Sequence, residues 1–226
     1  ELELAYQANQ SAFDWGQKDP EITFKELGKI QNNMATLSLY LGNRVQAKVH
    51  VHKAISLYKQ EPKLDAESLY LSYNALGNIH WFGARMDSAK YFYLEALKQF
   101  DSMEDTPRNK HFRPALVLNN LAAVQSALGK SSASILALEQ TIDHLTSYIK
   151  AVTDVQEINK GKEFQYQAID NLAGKHKELG NYSRAKDLLE YAYEQKKASF
   201  GPESPEVFKS QILLGQLYYD ILEFEL

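Results

Sequence analysis

The chain has 226 residues and a net charge of −4, from 25 basic and 29 acidic side chains. Hydrophobic residues make up 44% of it and charged residues 24%, which is typical of a folded globular protein and excludes a disordered one. The slightly acidic balance gives no support to nucleic-acid binding, which needs a basic surface.

Helical periodicity accounts for nearly the whole chain, and no segment has the two-residue alternation of a strand. The predicted helices, in chain order, are Leu2–Trp15, Glu21–Leu41, Val45–Tyr58, Lys63–Phe82, Met86–Phe100, Pro114–Leu128, Ser131–Ile149, Val155–Leu179, Tyr182–Ser199 and Glu206–Leu222. The polar segment from Asp101 to Phe112 is predicted to be a loop. Short glycine-containing breaks between long helices predict antiparallel helical hairpins.

Small residues recur at fixed offsets along these helices, which indicates an internal repeat. The first helix of each hairpin carries one of them, at Ala35, Gly77, Ala122, Ala173 and Gly215. Seven residues later comes the predicted turn, at Gly42, Ala84, Gly129, Gly180 and Leu222. The second helix carries two more small residues, at Ala47 and Ala54, Ala89 and Ala96, Ser134 and Thr141, and Ala185 and Ala192.

This pattern resembles the tetratricopeptide repeat (TPR). The intervals between the first small residues are 42, 45, 51 and 42 residues. They are similar to those of the long variety found in kinesin light chain and in bacterial arrays. HEAT and armadillo repeats have comparable periods, but they lack the paired small residues. The resemblance implies an all-α, right-handed superhelical solenoid of antiparallel helix hairpins.

We expect a single solenoid domain over residues 1–226, with residues 1–20 as the trailing helix of an earlier repeat. The predicted repeats are 21–60, 63–101, 114–152 and 153–200, and 206–226 is a last partial repeat or a capping helix. The 51-residue interval predicts extended helices over Ser131–Lys150 and Thr153–Leu179. These form either a projecting docking element or a tolerated insertion.

In TPR proteins the first helix of each repeat lines a concave groove, so the resemblance implies a peptide-binding groove here. The candidate groove residues are Asn32, Asn33, Tyr40, Asn74, Asn78, Trp81, Phe82, Asn119, Asn120, Asn171 and Lys177. Asparagine is a mediocre helix former, so its recurrence on one face needs a reason. Its amide can pair with both polar groups of a peptide backbone; alternatively, these side chains hold neighbouring helices together.

No sequence motif indicates chemistry. The absence of cysteine excludes disulfides and thiolate metal sites, and no His-Glu-x-x-His, phosphate-binding glycine loop or Gly-x-Ser-x-Gly is present. We therefore expect neither catalysis nor a cofactor or metal.

Two functional hypotheses remain open. The first is a protein-interaction module or scaffold that binds a peptide or a partner domain in the groove. The second is a structural solenoid that self-associates through its C-terminal helix, where Leu213, Leu214, Leu217 and Tyr218 are predicted to need a covering helix.

The sequence also gives expectations for the cellular location of the protein and for whether the chain is part of a longer one. No apolar run reaches the roughly 20 residues of a bilayer span, so no membrane insertion is expected, and we expect a cytoplasmic protein. The chain opens on Glu1 rather than methionine, which predicts a fragment of a larger regulatory or signalling protein.

Overall fold

The computed structural model describes residues 1–63 and 65–225, the last three of them by their backbone alone. These residues form two compact units: unit 1, Glu1–Glu104, and unit 2, Asp105–Leu226. Leu226, the last residue of the predicted partial repeat, lies outside the described residues. Within the described ranges all regular structure is helical.

Unit 1 consists of five α-helices packed in sequence order. They are α1 (Leu2–Gly16), α2 (Phe24–Tyr40), α3 (Arg44–Tyr58), α4 (Ala66–Phe82) and α5 (Met86–Leu97). Helices α2 and α3 form one hairpin and α4 and α5 the next, while α1 packs against α2 and α3 against α4. Helix α4 begins at Ala66 and not at the predicted Lys63, because Asp65 caps it by accepting from the Ser68 amide. Leu64, which the prediction placed inside this helix, lies outside the described residues.

Unit 2 has the same arrangement. Its helices are α6 (Arg113–Ala127), α7 (Ser131–Ala151), α8 (Val155–Glu178), α9 (Tyr182–Phe200) and α10 (Pro205–Glu225). Helices α6 and α7 pair, α8 packs on α7 and on α9, and α10 packs on α9. Each element therefore covers the apolar stripe of its neighbour, as a stack of helical hairpins requires.

The buried small residues fix the register of the hairpins. Ala47, Ala89 and Ala185 have no exposed surface, and neither do Ala54 and Ala96. At these positions the two helices of a hairpin approach closely, and a larger side chain would force them apart. The offsets read from the sequence therefore correspond to real packing positions.

The turns of the hairpins share a left-handed residue. Gly42, Gly129 and Gly180 have φ angles of 76, 70 and 76°, where glycine carries no Cβ penalty. In the second hairpin Ala84 takes this place with φ 55°. The prediction of a turn at Leu222 is wrong, because α10 continues to Glu225 without a following hairpin partner among the described residues.

The predicted loop from Asp101 to Phe112 is partly helical. A 3₁₀ turn covers Phe100–Ser102, and a π-helical turn, Arg108–Phe112, leads directly into α6. The cause is Phe112, which is 2% exposed and packs in unit 2 against Tyr148. Composition alone predicted a solvated segment, whereas one buried aromatic side chain draws its end into the core.

The extended helices α7 and α8 are 21 and 24 residues long. Their added turns do not project freely, because they bury Phe112 and Tyr148, with Phe164 of α8 edge-on to the Phe112 ring. The Tyr148 hydroxyl also donates to the Glu157 carboxylate. The additional residues between these two repeats therefore form a small apolar core of their own.

Candidate peptide-binding surface

The first helix of each hairpin is called helix A here, and the A helices are α2 and α4 in unit 1 and α6 and α8 in unit 2. The candidate asparagines lie on these helices and fall into two groups. The side chains of one group bond to other helices of the protein, and the amides of the other group bond to no side chain among the described residues.

Two asparagines of unit 1 join helices. The Asn32 amide Nδ2 donates to the Tyr58 hydroxyl at 3.1 Å and to Ser72 Oγ at 3.0 Å, which links α2 to α3 and α4. Asn78 Oδ1 accepts from the Tyr93 hydroxyl at 2.7 Å, which links α4 to α5. Burial raises the pKa of Tyr58 to about 12, so its hydroxyl remains a neutral partner over the ordinary pH range.

Asn33 and Asn74 are different. Asn33 is exposed and Asn74 half-buried, and neither amide makes a side-chain hydrogen bond to any residue that the structure describes. Asn33 directly follows Asn32 on α2, and Asn74 lies one helical turn before Asn78 on α4. Unit 1 thus presents two unused amides beside a fixed internal network.

The aromatic candidates of unit 1 lie near the ends of their helices. Tyr40 is 72% and Phe82 67% exposed, and Trp81 is half-buried. Phe82 lines a cavity of about 660 Å³ where α2 turns into α3, together with Leu39, Leu41, Gly42, Asn43, Arg44 and Val45.

In unit 2 Asn171 Nδ2 donates to Asn119 Oδ1 at 3.2 Å and so joins α8 to α6. The Lys177 ammonium pairs with the Asp220 carboxylate of α10 at 2.9 Å, and both side chains are about one-third exposed. Asn120 is half-buried, and its amide has no hydrogen bond within the described ranges. Unit 2 therefore offers one unused amide, whereas its other candidates hold helices together.

One polar site in unit 2 was missed by the sequence analysis. The Lys196 ammonium of α9 is buried and donates to Asp170 Oδ2 at 2.5 Å and to Ser210 Oγ at 2.8 Å. Burial raises the pKa of Asp170, although the lysine opposes this. A single lysine in an amphipathic helix is ordinarily predicted to be exposed, so the sequence contained no signal that Lys196 is buried.

The described residues contain neither a candidate metal site nor a candidate membrane-spanning helix. No three His, Cys, Asp or Glu side chains of the described ranges are grouped so that they could hold a metal ion. None of the helices in the described part of the chain is long and apolar enough to cross a membrane.

No protein-family model matches the chain, and no curated protein sequence matches it. Solved structures do match. The crystal structure of BtubC (BKLC) from P. vanneervenii is 20% identical with a TM-score of 0.74, covering 99% of this chain and 85% of that one. The TPR-like repeats of a kinesin light chain-type protein from Podosopora anserina are 15% identical with a TM-score of 0.67, covering 84% of each chain.

A third match is a signal-transduction ATPase with a tetratricopeptide repeat sensor from Pyrococcus horikoshii. It is 16% identical with a TM-score of 0.51, and the match covers 98% of this chain and 38% of that one. At such identities the likeness concerns the fold alone. It confirms the predicted all-α helical-repeat fold.

Proposed function

We propose that this chain, whose fold is of the tetratricopeptide-repeat type, is a non-enzymatic protein-interaction module that binds a peptide along its A helices. The observation that carries the proposal is the division of the asparagines. Asn32 and Asn78 are used to fix the helices of unit 1, while Asn33 and Asn74 present amides that no described residue engages.

An unused amide on a helix surface suits an extended peptide. Its carbonyl accepts from a peptide N–H and its amino group donates to a peptide carbonyl, so binding would depend little on the peptide's side chains. Asn33 and Asn74 would act in unit 1, and Asn120 in unit 2. The exposed rings of Tyr40 and Phe82 would supply apolar anchors, since exposed aromatic groups are enriched at binding hot spots.

The test begins with a peptide selected by the wild-type chain from a displayed random library. Its affinity is then measured by fluorescence anisotropy for Asn33→Ala, Asn74→Ala and Asn120→Ala. Because each change removes hydrogen bonds of about 1 kcal/mol, we expect at least one variant to bind about fivefold more weakly while melting like the wild type.

Asn78→Ala is the matched control, because its carbonyl oxygen serves Tyr93 inside the protein. We expect this variant to lose stability and to keep its affinity when folded. Unchanged affinity in all three surface variants would contradict peptide binding on the A helices.

The alternative function, self-association through α10, is favoured by a specific surface. Leu217 is fully buried, and Leu213 and Leu214 pack beside it on α9, so these residues need no further cover. Tyr218, the fourth residue predicted to need cover, is 41% exposed. The other exposed apolar side chains of α10 include Phe208 at 63%, Ile212 at 47%, Tyr219 at 62% and Leu222 at 60%. Light scattering that gives a dimer for the wild type and a monomer for Phe208→Glu/Ile212→Glu would support this function, and a monomeric wild type would exclude it.

A further inference from the structure

The cavity at the α2–α3 turn, called the turn-edge cavity, is open and apolar. Val45 and Phe82 are 73% and 67% exposed in it, and Leu39 and Leu41 about two-fifths exposed. Its volume of about 660 Å³ falls in the range of roughly 300–1,000 Å³ that ligand sites have. Four large apolar side chains around one concavity are more than scattered surface residues.

One positively charged side chain lines this cavity. Arg44 lies in its wall and uses one guanidinium N–H, which donates from Nη1 to the Phe82 carbonyl at 3.2 Å. This contact holds the guanidinium at the C-terminal end of α4 and leaves its other N–H groups available to a carboxylate.

Two more cations lie close by. Lys48 follows Arg44 by one helical turn, and Arg85 directly precedes α5. The Arg85 backbone N–H donates to the His80 carbonyl at 2.9 Å, which places Arg85 at the last turn of α4. The charges of Lys48 and Arg85 also lower the pKa of His80, although burial is the larger cause. In the part of the chain that the structure describes, none of these three cations forms an ion pair.

We infer that the turn-edge cavity is a second binding surface, for an acidic segment of a partner protein that carries a bulky apolar side chain. The apolar side chain fills the space between Val45 and Phe82, and carboxylates on either side of it pair with Arg44, Lys48 and Arg85. Charge complementarity identifies the occupant, because a basic cluster on a chain of net charge −4 selects an acidic partner and accelerates its association.

This inference goes beyond the function proposed for the A helices. Arg44 and Val45 belong to α3, the second helix of its hairpin, and carry no part of the asparagine surface. The two surfaces share Phe82, so a partner could contact both. Their separate contributions are distinguished by variants that leave Phe82 unchanged.

The test uses a fluorescein-labelled peptide of sequence DEDFLEDE, with KRKFLKRK and DEDAAEDE as matched peptides. Anisotropy is measured with the whole chain at low and at high salt. We expect DEDFLEDE to bind, the other two peptides to bind about tenfold more weakly or not at all, and the affinity to fall with salt.

Arg44→Glu and Val45→Glu should each weaken this binding about tenfold, because one reverses a charge in the wall and the other places a carboxylate in the apolar space. Val155→Glu is the matched control. Val155 is 67% exposed on α8 in unit 2, so the same substitution there should leave binding unchanged. Circular dichroism checks that all variants are folded.

Three results with these peptides and α3 variants would each overturn the inference, and a fourth involves the asparagine variants. The three are an absence of wild-type binding up to about 1 mM peptide, equal binding of the lysine peptide, and unchanged binding by both α3 variants. A loss of DEDFLEDE binding in Asn33→Ala/Asn74→Ala with full binding in Arg44→Glu would also overturn it. That last result would support the A-helix function, so the two proposals fail separately.

Discussion

Glycine at a helix crossing is required in unit 1 by the tyrosine that faces it. A Cβ built on Gly77 would lie 2.4 Å from the Tyr93 ring, and one on Gly28 would lie equally close to the Tyr58 ring. Both rings are buried, and both hydroxyls are tied to asparagines, Tyr93 to Asn78 for example. The small residue and the tyrosine hydrogen bond therefore form one packing unit.

Gly77→Ala should destabilise the protein by about 1–3 kcal/mol, because the buried Tyr93 ring has no free direction in which to move. Gly174→Ala is the control, since a Cβ there meets nothing within 4 Å inside α8. That variant should gain about 0.5–1 kcal/mol from a better helix former. Urea denaturation gives both values, and a loss of stability in both variants would contradict the assignment.

At the scale of the element, the end of unit 2 is held by a buried ion pair as well as by apolar packing. Lys196 of α9 contacts Asp170 of α8 and Ser210 of α10, so three consecutive helices meet at one ammonium group. The lysine side chain is 4% and the aspartate 15% exposed. In this environment the loss of one partner leaves the other charge uncompensated.

Lys196→Met should therefore cost about 3–5 kcal/mol, because the Asp170 carboxylate remains buried without its partner. Lys186→Met on the same helix is the control. Its ion pair with Glu190 is exposed, with 3.8 Å between the charged atoms, so its removal should cost at most about 1 kcal/mol. Equal effects of the two substitutions in chemical denaturation would refute the buried pair.

At the scale of the whole molecule, the histidines make stability depend on pH. Burial is the largest cause of a lowered pKa at each of His50, His52, His80, His111 and His144. His50 illustrates the reason, because its ring is 1% exposed and bonded to Gln31 and Tyr6. A lowered pKa means that the unfolded chain binds more protons near pH 6.5 than the folded one does.

The free energy of unfolding should consequently fall as the pH drops below the ordinary histidine pKa of 6.5 toward the lowered folded values. Asp170, whose pKa is raised by burial, acts in the opposite direction. Urea melts at pH 7.5 and 5.5 measure the net effect, and His50→Gln should reduce it while keeping a donor and an acceptor. A stability that rises on acidification would contradict the assignment.

The sequence by itself determined the helical class, the hairpins and their register. These depend on local properties: apolar spacing along each helix, left-handed glycines at turns such as Gly42 and Gly129, and alanines where helices cross. The offset between small residues is the same in every repeat because the two helices of each hairpin cross at the same positions. The same offset located the turn at Ala84, although the residue there is not glycine.

Only the tertiary structure decided what each side chain contacts. Asn32 and Asn33 are neighbours with equal chemistry, yet one bridges three helices and the other faces solvent. The burial of Lys196 and the cavity beside Val45 likewise depend on residues distant in sequence. A periodic pattern specifies which face of a helix a residue lies on. Whether two side chains on different helices form a hydrogen bond depends on differences of a few tenths of an ångström in the donor–acceptor distance, and only the packed chain determines that distance.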